Sequence, residues 1–273
     1  MTIVKDQMTI VKDYVSSKFG QLHYAHAGTG DPVLMLHQTP RSWEEYIYVL
    51  PLVGRERHAI AMDMVGFGAS ARPEGFFSIE RLADGVCELL DALDIHRVHL
   101  VGHHTGGVVS VEVAARMPER VTSLVLSATP CMDKQQRYEA RFRSPIDWVQ
   151  VMPDGSHLQQ LWNRRRAHYA LGQDASLTRY VVDALRVVDV VEQGHVAVAS
   201  YPMEERLPRV ACPARIIRGV NDRNVAKDAE ILAAHFGTVA HTIMDAGVAF
   251  PEQLPDEFAQ HVLNFTREHA IGA

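Results

Sequence analysis

The chain has 273 residues, of which 47% are hydrophobic and 22% charged, a composition typical of a soluble globular protein. The formal net charge of −6 argues against nucleic-acid binding, which requires a strongly basic surface. The sequence shows no apolar run long enough to span a bilayer and no secretory-type N-terminal segment. Three widely spaced cysteines predict no disulfide framework. We therefore expect a cytoplasmic protein that binds a small molecule, and the composition leaves open whether it forms a homodimer.

The segment MTIVKD occurs twice near the start, at residues 1–6 and 8–13. Stacked-repeat folds use units of at least about 20 residues, so two copies this short do not indicate a repeat architecture. Residues 1–7 are left out of the fold prediction.

Strand-like and helix-like patterns alternate along most of the chain. Residues 16–25 alternate around a glycine and predict an edge hairpin. Continuous apolar runs, typical of strands buried on both faces, follow at 32–38, 58–64, 97–103, 121–128, 214–220 and 239–246. Helical patterns occur at 79–94, 105–117, 226–236 and 255–269. This alternation predicts an α/β protein with a mostly parallel, doubly wound sheet.

The alternation stops between residues 131 and 207. This stretch contains many charges and several aromatic residues but no buried-strand run. It predicts a helical cap, inserted after the sixth strand and lying over the sheet edge where α/β proteins bind ligands. The predicted core comprises 18–130 and 208–270, and the predicted cap comprises 131–207.

Three motifs follow predicted strands at this edge. Residues 36–40 (LHQTP) end one strand, residues 63–70 (DMVGFGAS) follow the next, and residues 101–107 (VGHHTGG) form a strand–turn–helix junction. They resemble, in this order, the HG-x-P segment, the D-x-x-G-x-G-x-S turn and the nucleophile elbow of the α/β-hydrolase fold superfamily. The resemblance covers about residues 18–269 and implies that fold. It does not imply one reaction, because the fold supports many chemistries.

Two catalytic positions of that family hold other residues in this chain. The resemblance places His104 at the position of the serine nucleophile and Val248 at the position of the catalytic histidine, while the acid is kept as Asp222. Valine cannot accept a proton, so ordinary serine esterase chemistry is not expected.

The first hypothesis is an enzyme that needs neither cofactor nor metal. The small Val248 leaves room for the imidazole of His104, and Asp222 would then be within reach to form a His–Asp dyad. The carboxylate should raise the pKa of His104 and suit it to acid–base chemistry. Backbone N–H groups of Gln38 and Thr105 are the expected oxyanion donors. We expect a lyase-type or water-activating hydrolytic step on a small carbonyl compound.

A catalytically inactive, ligand-binding protein of the same fold is the rival hypothesis. A His104 ring that faces an open pocket and contacts Asp222 would favour the enzyme, whereas a ring packed into the core would favour the binder. A metal site formed by His37, His103 and His104 is disfavoured, since adjacent histidines at the elbow point to different sides and no known ligand spacing is present.

The other residues considered for the pocket are His37, His103, Val248, Trp148 and Trp162. An arginine of the run at 164–166 that reaches inward would suit a carboxylate-bearing substrate. The remaining cap histidines are interpreted as surface residues: His157, His168 and His195.

Overall fold

The computed structural model describes residues 8–72, 74–222, 225–237, 241–244 and 247–271. Residues 1–7 lie outside this set, as do 239, 240, 245 and 246 of the predicted strand 239–246.

The described part of the chain forms one eight-stranded sheet with the order β1-β2-β4-β3-β5-β6-β7-β8. The first two strands pair antiparallel with each other, and β2 pairs antiparallel with β4. All the other pairs are parallel, which confirms the predicted fold class. The strands are β1 (Val11–Ser17), β2 (Gly20–Ala27), β3 (Pro32–Leu36), β4 (His58–Met62), β5 (Val98–His103), β6 (Val121–Ser127), β7 (Ala214–Gly219) and β8 (His241–Met244).

The edge hairpin is longer than the sequence predicts. Its two strands span Val11–Ala27 and not 16–25, so the core begins before residue 18. Residues 11–14 are all exposed in β1 and lack the apolar run that identifies buried strands. The turn between the strands requires Gly20, whose φ of +105° is a conformation that glycine adopts without strain.

The helices follow the strands in the order expected for a doubly wound protein. The four predicted helices are found to within two residues at each end. The complete set is α1 (Leu50–Val53), α2 (Ile79–Ala92), α3 (Thr105–Arg116), α4 (Lys134–Ala140), α5 (Ser156–Arg166), α6 (Asp174–Arg186), α7 (Val191–Ser200), α8 (Ala226–His235), α9 (Phe250–Gln253) and α10 (Pro255–Glu268). No helix among the described residues combines the length and apolar character needed to cross a bilayer.

The core lies on both faces of the sheet. Alternate residues of β3 contribute to different clusters, since Leu34 and Leu36 pack with α2 and α3, whereas Val33 and Met35 pack with α1 and α10. This arrangement explains why the parallel strands are continuously apolar. It also leaves only the carboxyl ends of the strands free to build a site.

Four helices, α4 to α7, lie between β6 and β7, in the region where the sequence predicts a cap. Helices α5 and α6 contribute to a small cluster of their own with Val149 and Ala249. Helix α7 is different, because Val191, Ala197 and Val198 pack into the large cluster that contains α2 and α3. The last helix of this segment therefore lies directly on the core.

Candidate functional site

The turn at the end of β5 has the backbone geometry of an elbow. His104 has φ +49° and ψ −111°, and α3 begins at the next residue. A Cβ atom at Gly102 would overlap the backbone of Gly106, and one at Gly106 would overlap Leu36. The glycines thus permit a close approach of β5, α3 and β3. Within residues 101–110 His104 is partly exposed, and the other nine residues are buried.

A cavity of about 540 Å³ lies between this turn and the helices above it. His104, Thr39 and Val248 line it from the sheet side. Seven titratable residues line it from the segment between β6 and β7: Arg141, Arg143, Arg165, His168, Tyr180, Glu192 and His195. Asp228 of α8 lines it as well. The His104 ring therefore faces an open pocket, which is one of the two conditions that favour an enzyme.

The electrostatic surroundings of His104 differ from the sequence-based expectation. Burial is the main cause that lowers its pKa to about 4, with smaller contributions from neighbouring His195 and Arg165, against the opposing charge of Asp147. The expectation that the Asp222 carboxylate raises the pKa of His104 is wrong. Desolvation of the imidazolium lowers this pKa by more than the charge of Asp147 raises it. His104 is consequently neutral at pH 7.

The second condition, contact between His104 and Asp222, is not met by a hydrogen bond. Asp222 follows β7 and is buried, and its N–H donates to the Gly219 carbonyl at 3.1 Å. Among the described residues, no hydrogen bond links its carboxylate to the ring of His104, and Asp222 does not line the cavity. The pairing of the two residues stays a prediction.

In the loop after β3, the backbone N–H of Gln38, a predicted oxyanion donor, has another acceptor. The Gln38 N–H donates to Oε2 of the buried Glu45 at 2.8 Å, and Gln38 Nε2 donates to Oε1 at 2.5 Å. Burial raises the pKa of Glu45 to about 7. The Gln38 N–H is thus already engaged, whereas the Thr39 N–H lies beside the elbow and donates to Thr105 Oγ1 at 3.2 Å. Thr105 is the first residue of α3, so its own N–H has no acceptor within the helix.

His37 and His103 have structural roles and do not line the cavity, contrary to the prediction. Nδ1 of His37 donates to the Gln38 carbonyl at 2.8 Å, and its Nε2 accepts from the Met64 N–H at 3.0 Å. His103 bonds to Ser127 Oγ through Nδ1 and to the Val248 carbonyl through Nε2, both at 2.7 Å. Burial lowers the pKa of these rings to about 4 and about 3. All four nitrogens are used to hold neighbouring loops.

No group of three or more metal-ligating side chains is found in the part of the chain that the structure describes.

The two tryptophans expected at the pocket are not among its lining residues. Trp148 is 45% exposed, and its backbone N–H donates to Oε1 of Glu192. Trp162 packs against the cluster formed by α5 and α6. Aromatic composition alone did not indicate which face of the segment they occupy.

The largest feature missed by the sequence analysis is a cluster around the buried Asp147. Its carboxylate accepts hydrogen bonds from His195 Nε2 at 2.7 Å, from Tyr180 Oη at 2.9 Å and from Arg165 Nε at 2.5 Å. Burial raises the pKa of Asp147, but the bonds and charges of His195 and Arg165 outweigh this and hold it below its ordinary value. His195 is therefore not a simple surface residue. Arg165 is the inward-reaching arginine of the run at 164–166.

A buried ionic network joins the oxyanion loop to the helical segment. Arg41 is fully buried, and its Nε bonds to Asp183 of α6 at 3.0 Å. Its Nη1 bonds to Glu252 of α9 at 2.6 Å, and Glu252 also accepts from Arg179 of α6 at 2.9 Å. These bonds hold α6, and the segment with Val248 that precedes α9, against the loop after β3 that contains Arg41.

Comparison with known proteins agrees with this architecture. A family model described as alpha/beta hydrolase fold matches residues 31–179. A 2-hydroxy-6-oxo-2,4-heptadienoate hydrolase from Pseudomonas putida is 41% identical over 103 residues, or 36% of this chain and 37% of that protein. The dihydrolipoyllysine-residue acetyltransferase component of an acetoin cleaving system from Pseudomonas putida is 38% identical over 255 residues, or 88% of this chain. The chain spans 37% and 64% of the lengths of these two relatives.

Solved structures give the same result at lower identity. The enol-lactonase from Burkholderia xenovorans LB400 superposes with a TM-score of 0.76 and is 19% identical, covering 93% of this chain and 100% of that one. At this identity the likeness shows the fold alone.

Proposed function

Since the chain belongs to the α/β-hydrolase fold family, we propose that it is a cofactor-free enzyme of that family that acts on a small carbonyl compound through His104. The reaction is a proton-transfer step next to the carbonyl group, as in lyase-type or hydrolytic reactions that pass through an enolate. The single observation that carries this proposal is the position of His104. Its ring occupies the elbow, faces the cavity and makes no hydrogen bond to another described residue.

The neutral state of His104 defines its proposed role. A general base works best when its pKa lies near the working pH, and a pKa of about 4 makes a weak base at pH 7. A neutral imidazole retains one N–H and can donate it to an oxygen on which negative charge develops. We assign His104 this donor role, which modifies the hypothesis of a base activated by Asp222.

Backbone donors near the elbow support the same assignment. The Thr105 N–H directly follows His104, and the Thr39 N–H lies within hydrogen-bond distance of the Thr105 side chain. A donor that is fixed before the reaction, such as the Thr105 N–H, stabilises an oxyanion without reorganisation and is worth about 10²–10³ in rate. The Thr39 N–H must exchange Thr105 Oγ1 for the substrate oxygen, and its bond of 3.2 Å is long for an N–H donor.

The charges of the cavity favour a substrate that also carries a carboxylate. Arg141, Arg143 and Arg165 line it, and since Arg165 is bonded to Asp147, Arg141 and Arg143 are the two that we expect to bind a ligand. Arginine suits carboxylates because its planar fork matches their two oxygens. Glu192 and Asp228 also line the cavity. Oε1 of Glu192 already accepts from the N–H groups of residues 147 and 148, and burial raises the pKa of Asp228. The Pseudomonas putida hydrolase is named for an oxo acid of this type.

Deuterium exchange at carbon tests the proposed function directly. The protein is incubated in D₂O with a panel of α-, β- and γ-oxo acids and with neutral ketones, and loss of the C–H signal is followed by proton NMR. We expect exchange above the buffer rate with at least one oxo acid and slower exchange with the matched ketone. His104→Phe keeps a ring but removes both nitrogens, and should reduce exchange by about 10²–10³-fold.

The control is His157→Gln, which removes a histidine that does not line the cavity and should leave the rate unchanged. Oxo acids that raise the melting temperature but never exchange would overturn the enzyme and favour the ligand-binding protein.

A further inference from the structure

A histidine of α7 also lines this cavity. His195 lies on α7 and lines the cavity together with Val198 and Ala199 of that helix. Its Nε2 is bonded to Asp147 at 2.7 Å, and among the described residues its Nδ1 has no hydrogen-bond partner. Nδ1 is therefore the ring nitrogen available to a bound molecule.

The approach of α7 to the elbow depends on the residue before His195. A Cβ atom at Gly194 would lie 2.5 Å from Thr39 Oγ1 and 3.1 Å from the ring of Phe67. Only glycine lets α7 pack this closely against the loop that carries the Thr39 N–H. The backbone at His195 is thus held near the oxyanion donors and not at the outer surface of the cap.

Asp147 has the surroundings of a permanent anion that orients a base. It is 1% exposed, and Arg165 and Tyr180 bond to it in addition to His195. Arg165 balances the buried negative charge, so the carboxylate does not need a proton to remain in the interior. A carboxylate on one ring nitrogen fixes the tautomer in which the other nitrogen carries the lone pair, as the acid of a catalytic triad does.

We infer that His195, oriented by Asp147, is the general base of this site, and that Asp147 is its positioning residue. The inference rests on the proposed function, because it assigns the group that removes the proton while His104 stabilises the oxygen. The two histidines then perform complementary roles in one cavity.

The proposed step conserves atoms and charge. Nδ1 of His195 takes a proton from the carbon next to the carbonyl group, and the electron pair of that C–H bond becomes the C=C bond of an enolate. The carbonyl π electrons move to the oxygen, which accepts hydrogen bonds from His104 and from the N–H groups of Thr39 and Thr105. The imidazolium of His195 then returns its proton to carbon, the electrons of the C=C bond form the new C–H bond, and the oxygen electron pair re-forms the carbonyl group.

Titratable and charged groups from the neighbouring elements contact Asp147 or line the cavity around His195. Besides Asp147 itself, before α5, they are Arg165 of α5, Tyr180 of α6, Glu192 of its own helix, His168 after α5 and His104 of the elbow. Asp147 is the group in direct contact, so its removal should have the largest effect on the pH dependence of the rate.

Two variants in the deuterium-exchange assay test the inference. His195→Gln should reduce the exchange rate by about 10²-fold or more, since general base catalysis contributes 10²–10⁴-fold. Asp147→Asn should reduce it less and should move the rising limb of the pH–rate profile to lower pH, because a base without its carboxylate partner loses its proton more easily. The sequence-based dyad predicts instead that Asp222→Asn causes the larger shift. Circular dichroism and melting temperature confirm that each variant is folded.

The outcomes separate this inference from the proposed function. Exchange that His104→Phe abolishes but His195→Gln preserves would overturn the role of His195 and leave the proposed function intact. A pH–rate profile that Asp147→Asn does not move would overturn the positioning role of Asp147. Absence of exchange by the unmodified protein on every oxo acid would overturn both proposals.

Discussion

The elbow and the cap cluster face one cavity but are built in opposite ways. The elbow is a continuous segment, residues 101–107, in which glycines and a strained turn present a single side chain. The cap cluster brings together Asp147, Arg165, Tyr180 and His195 from four separate segments around one buried carboxylate. Local backbone geometry creates the first arrangement, whereas packing of helices creates the second.

This difference gives two histidines different chemistry. His104 has no carboxylate partner among the described residues, so burial dominates and it remains neutral. His195 is held by Asp147. A site that needs one hydrogen-bond donor to oxygen and one base obtains both from imidazoles because their environments differ.

The largest expected effect concerns pH and the histidines of the core. Burial lowers the pKa of His37, His99 and His104 to about 4 and that of His103 to about 3. The unfolded chain binds these protons near pH 6.5 and the folded chain does not. The contribution of these rings to the free energy of unfolding is therefore fully present above pH 6.5. It falls by about 3 kcal/mol for each ring as the pH falls toward 4. Glu45, whose pKa is raised to about 7, acts in the opposite direction between pH 4.5 and 7.

Urea unfolding at a series of pH values measures this loss. His99→Gln removes one of these rings at a position outside the cavity, and should flatten the acid limb of the stability profile. A profile that is flat from pH 7 to 4, or unchanged in His99→Gln, would show that these rings do not control acid stability.

The next effect concerns the network that joins the two regions. Arg41→Leu would leave Asp183 without its arginine and would remove one of the two arginines on Glu252. Breaking a buried pair by removing one partner costs about 3–5 kcal/mol of the free energy of unfolding. Arg267→Leu is the matched control, since Arg267 pairs with Glu56 at the surface and its loss should change the unfolding midpoint little. Equal losses in the two variants would contradict a special role for the network.

The sequence could predict the elements that depend on contiguous residues. Apolar runs located the parallel strands, and the glycine-rich turn at 101–107 located His104, because these signals lie within a few residues of each other. The position of Asp222 after β7 followed from the same local order.

The features that the sequence could not predict depend on long-range contacts. Asp147 and His195 are 48 residues apart and belong to no motif, so nothing local indicated their bond. The engagement of the Gln38 N–H depends on Glu45, which is a buried residue of the 3-10 helix Trp43–Tyr46. The sign of the pKa shift at His104 could not be predicted either, because burial depth is a property of the assembled cavity.

The smallest expected effect tests how much of an ordinary serine hydrolase the elbow retains. His104 and Val248 line the same cavity, and the bond from His103 to the Val248 carbonyl holds that segment against the sheet. The double variant His104→Ser with Val248→His should therefore gain weak but measurable hydrolysis of nitrophenyl acetate. Each single change should give almost none, because triad members act as a unit and the gain is not additive.

The single variants also explain why the two positions must change together. His104→Ser supplies a nucleophile without a base, and Val248→His places a second imidazole beside His104. Overpacking of this kind costs about 1–3 kcal/mol of stability, which the smaller serine at position 104 should relieve in the double variant. Covalent labelling by a serine-directed phosphonate checks whether the new serine is activated. A double variant that folds but is neither labelled nor active would show that the elbow keeps the shape of a hydrolase site without its oxyanion geometry, and the cap cluster would then have to supply the chemistry alone.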